Sequence, residues 1–182
     1  DANWGESDDF IIKADKGEGF LVSKKSYKNF KLTLEFYAGT KSNSGVFFRC
    51  DGSGVINDSK CYEANIFDTR ADQSGRTGAI TNIVAPLEII QTEGRWNTYE
   101  VVANGAHVSV YLNGVKTADL EGAKLNDGVI ALQFAMGSIQ FRNIKVQELN
   151  SPLTVNDIKG VWKLTKFVLI DHNEVETNWC EG

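Results

Sequence analysis

Lys31-Leu32-Thr33-Leu34-Glu35-Phe36-Tyr37 alternates polar and apolar side chains without a break, and shorter runs of the same period recur along the first 148 residues. Successive side chains of a strand point to opposite faces. The run therefore predicts a half-buried strand with Leu32, Leu34 and Phe36 inward and Thr33, Glu35 and Tyr37 outward. Further strands are expected over residues 9–13, 19–23, 30–38, 44–50, 61–68, 95–103, 128–134 and 138–148. Asn104-Gly105 and Asn113-Gly114 separate residues 99–103, 107–112 and 115–118. Asn-Gly between β-prone runs favours the primed turns that match strand twist, so these three runs form a meander. No segment sustains a helical period. Short strands without helices predict an all-β fold of two antiparallel sheets packed as a sandwich or jelly roll.

Two blocks interrupt this pattern with polar residues inside apolar runs: Asn43-Ser44-Gly45-Val46-Phe47-Phe48-Arg49 and Tyr62-Glu63-Ala64-Asn65-Ile66-Phe67-Asp68. Alternation puts Arg49 on the face of Phe47, and Glu63 on the face of Asn65 and Phe67. Carboxylate, amide and guanidinium beside aromatic rings suit a sugar, which offers hydroxyls to the polar groups and C–H faces to the rings. The residues also allow a second reading, in which Arg49 and Glu63 form a cross-strand ion pair that holds the sheet.

With 182 residues, 42% of them hydrophobic, the chain can bury one core. Residues 1–149 are expected to form the jelly roll. The composition changes at Asn150-Ser151-Pro152, and residues 150–182 form a linker and β-strand tail whose apolar run spans 161–170. That tail is too short to be a domain. It either adds strands to its own chain or pairs with the sheet edge of a neighbouring copy, giving a homo-oligomer or fibre. A net charge of −5 argues against a nucleic-acid partner. No apolar run reaches the length of a membrane span and no leader-like segment is present, so the chain reads as soluble.

Of the three cysteines, Cys50 and Cys61 fall at the end of one predicted strand and the start of the next, where a disulfide is geometrically open to them. Asn57-Asp58-Ser59 is a glycosylation sequon at Asn57. No cofactor is expected and no metal ligand is assigned. Ca²⁺ on oxygens of Asp51, Asn57 and Asp58 is the alternative, although the loop lacks an EF-hand pattern. His107 and His172 have no partner spacing, which argues against nucleophilic Ser-His catalysis.

The words Leu34-Glu35-Phe36, Asn43-Ser44-Gly45-Val46-Phe47-Phe48-Arg49, Tyr62-Glu63, Asp68, Thr77-Gly78-Ala79-Ile80, Trp96-Asn97-Thr98-Tyr99-Glu100, Leu112-Asn113-Gly114 and Phe141-Arg142-Asn143-Ile144 occur in one order. In these the chain resembles the bacterial 3-keto-disaccharide hydrolase family, from roughly Gly19 to Leu149. The resemblance implies a concanavalin-A-like jelly roll in a secreted, periplasmic or cell-surface protein that handles glycosides carrying a 3-keto sugar on a concave sheet face. It implies Glu35, Glu63 and Asp68 as catalytic carboxylates, with Arg49, Tyr62, Asn65 and Gln133 binding substrate. Two positions depart from the family pattern. Asn65 stands where the family has glutamine, and Ala135 where it commonly has histidine two residues after Gln133. The alternative is a non-catalytic relative, a lectin-like glycan-binding module or a surface structural subunit that assembles through its C-terminal strand. Trp4 and Trp96 are expected in the core rather than against a sugar, and Arg142 and Asn143 at a turn.

Overall fold

The structure is a computed structural model that describes residues 2–7 and 10–149, and two short strands further on. Eleven strands make up the first unit: β1 (Trp4–Glu6), β2 (Ile12–Ala14), β3 (Gly19–Tyr27), β4 (Phe30–Ala38), β5 (Asn43–Phe48), β6 (Tyr62–Ile66), β7 (Trp96–Asn104), β8 (His107–Leu112), β9 (Val115–Glu121), β10 (Gly128–Met136) and β11 (Ile139–Glu148). They form a seven-stranded sheet in the order β1-β2-β11-β4-β7-β8-β9 and a four-stranded sheet in the order β3-β10-β5-β6, with antiparallel pairing throughout both. This is the expected two-sheet jelly roll.

The alternation in β4 is realised as read. Leu32, Leu34 and Phe36 are buried in the core with Tyr99, Val101, Val110 and Phe141, while Thr33, Glu35 and Tyr37 face away from it. The four-stranded sheet supplies the other half of that core through Val46, Phe48, Tyr62, Ala64, Leu132 and Phe134. The two outer faces are therefore separated by the full thickness of the packed core.

Sequence and structure differ at strand ends, and β1 (Trp4–Glu6) lies outside every strand expected from the sequence. β3 runs on to Tyr27 because its pairing with β10 continues to Tyr27 opposite Gly128, past the point where apolar alternation fades. β5 stops at Phe48 because Arg49 has φ 51°, a left-handed backbone that ends ladder pairing.

A second, smaller apolar cluster lies on the outer face of the four-stranded sheet, where Phe47, Cys50, Cys61 and Ala131 pack with Phe20, Ile56 and Val129. Cys50 and Cys61 are disulfide-bonded across a separation of 11 residues. Ile56, in the loop they enclose, is thereby folded back onto the sheet. Closing a loop of this size removes about 3 kcal/mol of denatured-state freedom. A Cys50→Ser, Cys61→Ser double variant is expected to unfold at lower urea by that amount, as measured against the oxidised chain.

The chain has two compact units, 1–151 and 152–182. In the second, β12 (Val168–Ile170) pairs antiparallel with β13 (Glu176–Asn178). Residues 161–167 of the predicted apolar run, and with them the choice between pairing in cis and in trans, lie outside the described residues.

Candidate functional site

A polar pocket of about 230 Å³ opens on the outer face of the four-stranded sheet. Its floor is the cross-strand pair Phe47 and Glu63, with Phe20 edge-on to Phe47 at 5.2 Å between ring centroids. Gln133 on β10 and Asn65 on β6 extend the floor, and Asn43, Ile56, Asp58, Arg70 and Thr81 form the walls. Gly45 keeps it open: a Cβ there would meet Glu63 Oε1 at 2.3 Å.

Glu63 is 7% exposed, and its carboxyl is pushed up to about 7. Burial is the main cause, and the nearby charge of Asp58 adds to it. The Thr81 hydroxyl and the positive charge of Arg70 oppose it. Gln133 Oε1 is buried with no hydrogen-bond partner, an acceptor left for a ligand donor. Thr81 Oγ1 likewise lies outside good hydrogen-bond geometry, although close enough to act on the carboxyl. A carboxyl that titrates near neutrality, set beside a guanidinium, can both accept and return a proton at physiological pH.

Arg70 comes from the loop after β6, and sequence reading missed it. It packs over Gly75, where a Cβ would meet its Nε at 2.4 Å. Asn65 holds that loop. Its Nδ2 donates to Gly75 O (2.5 Å) and its Oδ1 accepts from Ile66 N (2.9 Å). Asn65 thus lines the pocket with its amide already engaged by backbone. Asp58, expected only as a calcium ligand, is instead a wall of the pocket and accepts from Asn82 Nδ2. Asp51 pairs with Lys60, and Asn57 accepts from Ser59. Among the described residues no group of three His, Cys, Asp or Glu side chains could hold a metal ion.

Four of the expected site residues lie elsewhere. Arg49 is fully buried at the strand end: its left-handed backbone breaks the alternation that would have placed it beside Phe47. Its guanidinium donates to Lys28 O (2.7 and 3.0 Å), Gly105 O (2.8 Å), Leu125 O (3.1 Å) and Asn29 Oδ1 (3.4 Å). It is neither a substrate clamp nor the ion-pair partner of Glu63. Tyr62 faces the core, stacks on Phe48, and accepts from Lys124 N and Leu125 N through its hydroxyl.

Asp68 is buried beneath the loops. Its carboxylate accepts from the Thr77 and Thr92 hydroxyls and from Thr92 N and Glu93 N, so it ties three segments together. Glu35 lies on the outer face of the opposite sheet. Asn143 Nδ2 (2.7 Å) and Arg142 (2.7 and 2.8 Å) hold it, and these bonds keep its carboxyl below the ordinary range. Arg142 in turn stacks on Trp96 at 3.9 Å, and Trp4 packs on Phe141. Of the three candidate catalytic carboxylates, only Glu63 lines the pocket.

His107 does find neighbours, through the β8–β9 register that sets Ser109 opposite Asp119. Ser109 Oγ and His107 Nε2 approach the same Asp119 oxygen at 2.7 and 2.8 Å. This is a shared acceptor, not the relay that activates a serine nucleophile.

A sequence profile described as the 3-keto-alpha-glucoside-1,2-lyase-like domain matches residues 1–147. The chain belongs to this family. No curated protein matches the sequence. A candidate glycosyl hydrolase from Parabacteroides distasonis ATCC 8503 superposes with a TM-score of 0.70 at 26% identity, over 81% of this chain and 93% of that one. The carbohydrate-binding module CBM66 from Bacillus subtilis gives 0.65 at 16% identity, over 81% and 92%. The β-glucanase of Bacillus licheniformis gives 0.59 at 11%, over 81% and 83%. The latter two show the fold alone. Within the 3-keto-alpha-glucoside-1,2-lyase-like fold of this chain, Ala135 follows Gln133 by two positions on β10 and brings only a methyl group.

Proposed function

We propose that the protein binds a 3-keto glycoside in the Glu63 pocket and removes a proton beside the ketone, eliminating the leaving group from the sugar. At the coarser level the chain is a carbohydrate-related jelly-roll domain, of glycosyl-hydrolase-like or carbohydrate-binding type. The observation that carries the finer reading is the Glu63 carboxyl, buried beside Arg70 and raised to about 7.

The chemistry needs one base. Ionised Glu63 takes the C2 proton and the C–H electron pair moves toward the C3 carbonyl, giving an enolate that faces Arg70. The pair then returns to form the C1–C2 double bond as the C1–O bond breaks, and Glu63 hands its proton to the departing oxygen. An unsaturated 3-keto sugar and an alcohol result, with no oxidant or water consumed. Phe20 and Phe47 offer a face to the ring, and Gln133 Oε1 an acceptor to a hydroxyl.

A second reading has its own support. Ala135 in place of histidine and the structural use of Asp68 and Glu35 leave a spare site, consistent with a glycan-binding module. In either case the Cys50–Cys61 bond supports an oxidising location such as the periplasm, the cell surface or the exterior. No helix among the described residues is long and apolar enough to cross a membrane. Incubation of the wild-type chain with a 3-keto glucoside, with product followed by absorbance of the conjugated ketone, separates the two. Saturable binding without product would leave the module and remove the enzyme.

A further inference from the structure

The Glu63 pocket has a neighbour of opposite character. A groove of about 410 Å³ is lined by Cys61, Tyr62, Ile83, Leu120 and Leu125, and Asp58 belongs to the walls of both cavities. Two short segments divide them. In residues 58–63, Cys61 and Tyr62 line the groove and Glu63 lines the pocket. In residues 81–83, Thr81 lines the pocket and Ile83 the groove. Asn82 Nδ2 donates to Asp58 Oδ2 (2.5 Å) and closes the partition between the segments.

The groove is preformed. The Tyr62 hydroxyl accepts from Lys124 N (2.7 Å) and Leu125 N (3.1 Å), which pins the far wall to β6. Ile83 remains 47% exposed there, a large aliphatic side chain with no covering element, next to a pocket that is otherwise polar.

We propose that this groove receives the leaving group of the glycoside whose sugar occupies the Glu63 pocket, and that it selects an apolar ring-bearing alcohol over a second sugar. The proposal rests on the reading of the Glu63 pocket as the sugar site. Asp58, Ser59 and Lys124 also line the groove, but a second sugar would still set several hydroxyls against Ile83, Leu120, Ala123 and Leu125, and each hydroxyl left without a hydrogen bond costs free energy. A ring laid against Ile83, Leu120 and Leu125 instead removes apolar surface from water, at about 25 cal/mol per Å². The volume falls within the range of ligand pockets, ~300–1,000 Å³.

Methyl, benzyl and glucosyl glucosides, each with and without the 3-keto group, test the idea on wild type and Ile83→Asp. Methoxide and benzyl alkoxide are similar leaving groups, so a difference between them reports binding rather than reactivity. Calorimetry on the unoxidised compounds is expected to show benzyl bound at least about tenfold more tightly than methyl in wild type. Ile83→Asp is expected to abolish that preference and to leave methyl glucoside binding unchanged. This pattern supports the groove whether or not any 3-keto compound is turned over, and its appearance without turnover would count against the elimination chemistry alone. Equal binding of methyl and benzyl, tightest binding of the glucosyl compound, or indifference to Ile83→Asp would overturn the proposal.

Discussion

Glu63→Gln is expected to reduce turnover of a 3-keto glycoside by about a thousandfold, because it removes the carboxylate on the pocket floor that takes the proton. In the wild type, kcat/KM should rise about tenfold per pH unit up to pH 7 and then level off, following ionisation of a carboxyl at about 7. The same substitution should make the protein more stable. Burial raises the folded-state value of Glu63 above the ordinary 4.5, so its favourable contribution is complete below that value and is lost as pH rises through about 7. Above pH 7 the ionised side chain costs about 3 kcal/mol relative to the unfolded chain. Urea unfolding at pH 4.5 and pH 8 should therefore show nearly equal stability for the two proteins at the lower pH and an advantage for Glu63→Gln at the higher. A variant that loses activity without gaining stability at pH 8 would show that burial does not hold the carboxyl up.

Arg49→Met is expected to cost about 3–5 kcal/mol of stability, the range for breaking a buried charged network. The guanidinium joins the end of β5 to the turns at Lys28, Gly105 and Leu125, and its removal takes a charged donor from three carbonyl oxygens at once. Lysine would not rescue it, since a single ammonium cannot span carbonyls arranged for a planar fork. Denaturant midpoints measure the loss. Wild-type stability together with lost ligand affinity would return Arg49 to the binding role that its sequence context suggests.

The contrast between these two residues shows how far strand periodicity reaches. Both sit in apolar runs, and alternation assigns each a face. For Glu63 the assignment holds because β6 pairs regularly with β5, Phe47 opposite Glu63. For Arg49 it fails because one left-handed residue reverses the direction of the side chain. Nothing local in Phe47-Phe48-Arg49-Cys50 marks that reversal; the Asp51-Gly52 turn signal comes two residues later. Arg70 and Thr81 carried no motif at all, since they reach the site from loops whose course depends on Asn65, Gly75 and Asn82.

The amino-acid sequence by itself determined the strands of the jelly roll other than β1, the meander through its two Asn-Gly turns, the inward set of β4 and the family. These follow from side-chain period and turn chemistry, which act over a few residues. Tertiary structure alone decided which carboxylates share a cavity. A period of two distinguishes inside from outside within one strand but does not say which of two sheets the outside belongs to. Glu35 and Glu63 are both outward, and the whole hydrophobic core lies between them. Burial against Phe47 and beside Arg70 then gave one of these like carboxyls a proton near neutrality, whereas hydrogen bonds from Arg142 and Asn143 kept the other ionised.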